Sequence, residues 1–399
     1  MSSNLTYKWS SSINEIPNCT WEKVFGNSIV KSRSFFQVME DSNFAGVSYY
    51  YLQIYKCQAV LSIIPCFSYE LDFLNLTTSS IIKELIKFVR KFYSNFFKVN
   101  AFVTGSYAAS CEHFIEYASD ILSEDKLRVI QLINQCLKNK SREIGTKFIF
   151  IKDIRERSIN HVRHVLNSDF HFFVSFPTTA VPIFPDCTYP EALKKKNRKR
   201  YRNYTEIFNM HFEWETVTNF SGTYAHEFMM LYQNVLEKAK NKFEILNERF
   251  FCNIDAEFPQ NSFLLIAKSH EGEIRLMELV LEEQNKLMPL YLGIKYKTDD
   301  TRILYLNAIF KTIKEAENRN KILVDFGQTS YYPKVMSGAL VENIYYGFWS
   351  EHFFLKWLIN NVFQKIFLPP EIPEPVYLET CKHKALRLLE KEGFSLLSK

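Results

Sequence analysis

The chain has 399 residues, 47% hydrophobic and 23% charged, a balance that predicts two or three globular domains with sizeable cores. Aromatic residues reach 16%, which excludes extensive disorder, and only 11 residues are glycine, against about 28 expected at ~7%. The formal net charge of +5 is local, because Lys194, Lys195, Lys196, Arg198, Lys199, Arg200 and Arg202 lie together with no acid between them, and without these seven the balance is −2.

Glycine scarcity goes with the lack of both G-x-G-x-x-G and G-x-x-x-x-G-K-[ST], so the common Gly-rich phosphate loops are excluded. None of the eight cysteines forms a C-x-x-C pair, and reduced, mostly buried thiols are expected. Residues 1–12 lack the apolar core of a signal peptide, and no window of about 18 apolar residues is free of charge. A cytoplasmic protein without a transmembrane segment is the expectation.

In chain order, residues 21–41 read as one or two short helices, followed by strands at 49–55 and 59–65. Ser79 or Ser80 can cap a helix with the apolar stripe Ile82, Leu85, Val89 and Phe92. A strand at 99–103 precedes a helix capped by Ser123, with Leu127, Ile130, Ile133 and Leu137 inward, and a buried strand follows at 146–151. The second half repeats this order: a strand at 212–217, a helix at 224–239, and a hairpin of 262–268 with 274–281 around Gly272. A strand at 288–296, a helix after Asp299, Asp300 and Thr301 with Leu306, Ile309, Phe310, Ile313 and Ala316 inward, and a strand at 321–326 complete it.

Hairpin, strand, helix, strand in both halves predicts a duplicated α/β domain with mixed sheets. The Pro-rich stretch around Pro177, Pro182 and Pro185, poor for regular structure, sets the boundary, giving domains 1–176 and 177–368. Residues 369–399 form a second Pro-rich linker and a short C-terminal helix at 385–391. The aromatic stretch 345–368, with Phe353, Trp357, Phe363 and Phe367 near helical spacing, is expected to be a core helix flanking the second half; a membrane-interface or dimer surface is the alternative.

Four stretches carry a resemblance to a known family. They are Ile13-Asn14-Glu15-Ile16 with Trp21, Ser34-Phe35-Phe36 and Met39-Glu40; Tyr189, Leu193, Lys196 and Arg198; Tyr291-Leu292-Gly293 with Leu304-Tyr305; and Val324-Asp325-Phe326-Gly327 with Lys334 and Gly338. Together they resemble the tandem-GNAT acyltransferases related to the Fem-type aminoacyl transferases and the peptidoglycan-biosynthesis/recognition-like proteins. That resemblance implies two tandem GNAT-like domains and transfer of an activated acyl or aminoacyl group onto an amine. It implies no tightly bound cofactor, with acyl-CoA, a carrier protein or aminoacyl-tRNA as donor. The family's Q/R-x-x-G-x-G/A pyrophosphate loop is missing: neither Thr104-Gly105-Ser106-Tyr107 nor Gly293-Ile294-Lys295-Tyr296-Lys297 has it. This departure favours an aminoacyl-tRNA or carrier-protein donor over acetyl-CoA.

Asp325 interrupts an apolar strand before a Gly turn and Lys334 follows the next loop, so the two are the preferred catalytic pair; bracing of the loop is the structural alternative. Tyr291 is a phenolic donor or a core residue. Lys196, Arg198 and Arg200, on a helix opened by a Thr188…Glu191 capping box, and Lys295 are the candidates for holding an anionic donor. A solvated helix face, or a non-catalytic protein that recognises an anionic or nucleic-acid partner, explains the same charges. His161 and His164 with Asp169 and His171 lack a metal-ligand pattern, and Cys111 lacks a base beside it, although His113 is in the same loop.

Overall fold

The computed structural model describes residues 5–26, 28–76, 80–108, 112–166, 170–239, 242–296, 300–328, 330–363, 373 and 376–396, apart from the side chains of 75, 76, 80–82, 164 and 165.

 Of the C-terminal segment, that leaves Pro373 and residues 376–396. Its β-branched and aromatic runs form strands β1 (Leu5–Ser10), β2 (Ser48–Lys56), β3 (Ala59–Asp72), β4 (Lys98–Thr104), β5 (Glu116–Tyr117), β6 (Phe148–Arg155) and β7 (His171–Val174) in the first half. The second half holds β8 (Thr178–Pro182), β9 (Phe212–Val217), β10 (Ser262–Ser269), β11 (Ile274–Glu282), β12 (Lys286–Ile294), β13 (Leu323–Gly327), β14 (Leu340–Glu342) and β15 (Ile344–Ser350).

The chain divides into two compact units. Unit 1 comprises Met1–Ser175, Lys240–Leu246 and Ile344–Pro369; unit 2 comprises Phe176–Ala239, Asn247–Asn343 and Pro370–Lys399. Unit 1 has the sheet order β1-β2-β3-β4-β6-β15-β7, with β5 on β3, and unit 2 has β9-β10-β11-β12-β13-β8-β14. Each sheet is antiparallel except for one parallel pair, β4 with β6 and β12 with β13. A parallel pair needs a crossover, and the helices Ser123–Glu143 and Thr301–Asn318 supply it. Two helices also separate the first and second strands of each unit: Asn18–Phe25 and Arg33–Ser42, then Ser221–Lys238 and Glu248–Glu257. The expected duplication of a mixed α/β unit is therefore present.

The division of the chain differs from the expected 177–368 domain. β15 pairs with β6 and β7 in unit 1, while β8 pairs with β13 and β14 in unit 2. The first sheet thus takes its sixth strand, β15, from the second half of the sequence, whereas β8 stays in the sheet of its own half. The aromatic stretch 345–368 is accordingly not one helix flanking the second half. Its first part is β15, buried on both faces, and helical spacing applies only to Phe353–Asn361; Phe367 lies outside the described residues. The Pro-rich boundary likewise contains β8, where Pro182 is the last residue and needs no further ladder donor.

Two helices differ from their expected stripes. On Ser80–Arg90, Ile86 is buried whereas Leu85 is 58% exposed, and Phe92 beyond its end is 71% exposed. On Ser123–Glu143, Leu127 is exposed while Val129, Ile130, Ile133, Cys136 and Leu137 enter the core. The hairpin of β10 and β11 has the expected register and turns at Gly272, with φ +84°.

In unit 2 the first helix of the pair lies close on the sheet. A Cβ added to Gly293 would stand 2.6 Å from Leu231 Cβ and 2.8 Å from the Tyr232 backbone nitrogen, so β12 and the helix Ser221–Lys238 meet at backbone distance. Gly293→Ala is expected to force them apart, costing about 1–3 kcal/mol and lowering Tm by about 2–8 °C in a thermal melt. An unchanged Tm would show that the contact yields freely.

Candidate active site

The feature that sets the site is where β12 and β13 separate. Their parallel ladder matches Lys286 with Leu323 and Leu287 with Val324, and then stops. Immediately beyond, β12 carries an extra residue: Leu279 faces Tyr291 and Val280 faces Pro289, leaving Leu290 as a bulge. β13 has its own irregularity, with Asp325 opposite Ala180 and Gly327 opposite Thr179. A bulge bends its strand and raises the local twist, so the two strands diverge towards their C-terminal ends.

The helix Thr301–Asn318 spans this divergence, with a pocket of about 660 Å³ at its first turns, lined by Arg200, Thr301, Arg302, Tyr305, Tyr332 and Pro333, with Leu306 behind. Backbone N–H groups at a helix start favour an anion. The nearby carboxylate of Asp300 is held by Arg275 at 2.7 Å, which offsets its repulsion of such a ligand. The guanidinium carbons of Arg200 and Arg302 each lie 5.7 Å from the Tyr204 ring centroid. Asn307 donates to the Tyr204 carbonyl at 3.0 Å, tying the basic helix Lys195–His211 to the crossover helix.

Among the seven basic residues, roles separate. Arg198 donates to the carbonyls of Pro190, Glu191 and Leu193 at 2.9, 2.9 and 3.2 Å, and so secures the end of the short helix Tyr189–Ala192. The capping box of Thr188 and Glu191 is formed at the start of that helix. Lys196 is exposed and, four residues before Arg200, shares its helix face. Lys295 is paired with Glu273 at 2.7 Å and does not line the pocket.

Asp325 and Lys334 are brought to one turn. An Asp325 oxygen accepts from the Gly327 N–H at 3.1 Å, and the carboxylate lies 3.9 Å from Lys286 Nζ. Lys334 Nζ donates to the carbonyls of Phe326 and Gln328 at 2.7 and 2.8 Å. Gly327 between them has φ +63°, the left-handed conformation that glycine adopts without penalty. Both side chains therefore brace the end of β13. Tyr291 lies apart from them, in a ring cluster with Tyr232, Phe250 and Phe251 at 6.0, 5.8 and 6.4 Å.

A residue passed over in the sequence is Glu278, the acid within the apolar run Leu276-Met277-Glu278-Leu279-Val280 of β11. It is 5% exposed, and burial raises its carboxyl pKa to about 7, opposed by a 2.5 Å bond from Thr312 Oγ1 and by the Lys334 charge. Tyr305, on the pocket wall, is pushed up to about 12 by burial, against a hydrogen bond with Ser330. A lone acid within a buried strand was the available signal for Glu278.

Unit 1 offers a comparison. Its parallel pair stays matched through four positions, to Thr104 with Ile151 at the end of β4. Beyond that point Lys152, 4% exposed, turns back to donate to the Ser106 carbonyl at 2.9 Å, with Asp153 at 3.4 Å and the Phe243 ring centroid at 4.6 Å. A Cβ on Gly105 would lie 3.1 Å from Lys152 Cγ, so the lysine stem occupies this gap. Nearby His113 is buried, and burial lowers its pKa to about 4. His161 lies 3.1 Å from the Tyr117 hydroxyl; Cys111, Asp169 and the side chain of His164 lie outside the described residues. Among the described residues no group of three or more His, Cys, Asp or Glu side chains is placed to hold a metal ion.

No protein-family model matches the sequence, and comparison with curated proteins gives no significant match. Among solved structures the chain is similar to FemX, with TM-score 0.50 and 10% identity, covering 85% of this chain and 96% of FemX. It is also similar to a tandem GNAT protein from the clavulanic acid biosynthesis pathway, with TM-score 0.49, 8% identity and coverage of 86% and 98%. A third similar structure is L-PGS from Bacillus licheniformis, with TM-score 0.44, 12% identity and coverage of 68% and 86%. The likeness to FemX is one of fold, and it agrees with the duplicated mixed α/β unit traced above.

The raised pKa of Glu278 fixes a sign. Unfolded, its carboxyl loses its proton near 4.5; folded, it keeps it to about 7. Stability linked to this group is therefore full below pH 4.5 and falls as pH rises through 7, by up to about 3 kcal/mol. Glu278→Gln is expected to raise Tm relative to wild type at pH 8 and to lose that advantage at pH 5. Equal differences at both pH values would show that the group does not titrate in this window.

Proposed function

We propose that the protein is an acyltransferase that moves an activated acyl or aminoacyl group from a phosphate-bearing donor onto an amine, with unit 2 as the donor-binding half. The observation that carries this reading is the pocket at the first turns of the crossover helix, lined by Arg200 and Arg302, in a unit whose β12–β13 ladder ends after two residue pairs. The donor's anionic part fits the pocket, where helix N–H groups and two guanidinium groups supply positive potential. Tyr332, exposed on the pocket wall, offers a ring face to a base or an extended arm, and Lys196 extends the basic track along the helix of Arg200.

The acyl arm enters between the diverging strands, where backbone N–H groups of β12 can meet the donor carbonyl. Positioning a carbonyl beside a neutral amine and stabilising its oxyanion supplies much of the rate in such a transfer. The nitrogen attacks the carbonyl carbon, the thioester or ester bond breaks, and a proton leaves the ammonium. In this reading Asp325 and Lys334 hold the turn that forms one lip of the gap, and Glu278, with a pKa near 7, is the nearby group suited to exchange a proton at neutral pH. Lys152 fills the corresponding gap in unit 1, which supports a single donor site.

Thermal-shift titration with coenzyme A, acyl-CoAs and charged tRNA, followed by intact-mass detection of acylated amines, tests the proposal. A donor should raise Tm, and Arg200→Ala plus Arg302→Ala should weaken its binding by about 10–100-fold, the effect of losing charge-assisted hydrogen bonds. Binding without turnover on any amine would point to recognition alone, and no binding of any donor would overturn the assignment.

A further inference from the structure

The helix Ser80–Arg90 has a hydrophobic stripe that faces away from its own unit. Leu85, Phe88 and Phe92, at i, i+3 and i+7, are 58%, 58% and 71% exposed, and the Phe88 and Phe92 rings are 5.8 Å apart. On its other side Ile86 is buried. A second helix of unit 1, Phe353–Asn361, also presents aromatic side chains: Phe353 is 84% and Trp357 48% exposed, with Phe354 stacked on Trp357.

Sheet topology brings the two helices to one end of unit 1. The first helix precedes β4, whose Ala101 is paired with Phe148 at the start of β6; the second follows β15, whose Ser350 is paired with the same Phe148. Below them Phe73 contacts both Phe148 and Phe363, with centroids 5.5 and 5.4 Å apart. Residues 80–98 carry five basic side chains and one acidic, and Lys87, Lys91 and Lys356 are exposed beside the aromatic residues.

We propose that this end of unit 1 docks on an anionic lipid bilayer, the helix Ser80–Arg90 lying in the headgroup plane. Exposed Phe, Tyr and Trp side chains next to lysines match the acyl boundary below and the anionic headgroups above. A second copy of the chain fits poorly, because a two-fold contact would set one basic patch against another. Eleven residues are also too few to cross the hydrocarbon layer, and among the described residues no helix is long and apolar enough to do so. The docking goes beyond acyl transfer and stands or falls separately from it.

Flotation of the full chain with phosphatidylcholine vesicles containing rising fractions of phosphatidylglycerol tests the proposal. Co-flotation should increase with phosphatidylglycerol and weaken in high salt. Phe88→Ser plus Phe92→Ser should reduce partitioning about tenfold or more, with unchanged circular dichroism. Phe353→Ser plus Trp357→Ser, on the other helix, provides an independent variant, and Lys87→Glu plus Lys91→Glu should remove the dependence on phosphatidylglycerol. A wild type that stays in the soluble fraction at every lipid composition overturns the proposal. So does a dimer in sedimentation velocity that the Phe88/Phe92 variant disperses, since the stripe would then be a protein contact.

Discussion

Backbone hydrogen bonding must be conserved along every strand, and unit 2 is organised around the place where one ladder is given up. β12 keeps its pairing to β11 as far as Ile294, but its other edge stops matching β13 after Leu287. Peptide groups left without a strand neighbour need another partner. A gap of this kind persists only when the turn on the far side is held rigid. Here the Asp325 carboxylate and the Lys334 ammonium do so, one through the Gly327 N–H and the other through the carbonyls on either side of it.

The two units show how little separates a sheet with a gap from one without. In both, the strand after the crossover helix carries a residue with positive φ at or near its C-terminal end, Gly327 in unit 2 and Asp153 in unit 1. Before it stands Phe326 in one case and Lys152 in the other. The long cationic side chain turns into the space that the parallel pair would otherwise leave, and Phe243 covers its ammonium. A single lysine, with a carboxylate at 3.4 Å, thus converts a crevice into core.

Much of this architecture was legible in the sequence because it rests on local periodicity. The hairpin around Gly272, the helix with Ile309 and Ile313 inward, and the strand before Gly327 all carry their pattern within a few residues. The return of β15 to the first sheet was not legible, since pairing between distant segments leaves no local mark. Pro177 and Pro182 signalled a break, although β8 needed only a proline-free middle. The outward stripe of Leu85 and Phe92 was read as inward for a related reason: periodicity defines a face but not the side on which the core lies. In the site, Asp325 and Lys334 were visible as charges beside a Gly turn. Arg302 and Glu278 were not, because a charge on a helix start or within a strand acquires meaning only from what packs over it.

The returning strand β15 also bears on how the chain is born. β6 is completed early, yet its neighbour β15 is made about 190 residues later. At ~5–20 residues per second, the apolar edge Phe148-Ile149-Phe150-Ile151 waits on the order of ten seconds or more for its partner. An uncovered edge of this kind is a template for unwanted pairing with a neighbouring nascent chain. Completion of unit 1 therefore waits for the synthesis of residues 344–350, and a ribosome that stalls before them releases a product whose first sheet lacks the strand between β6 and β7.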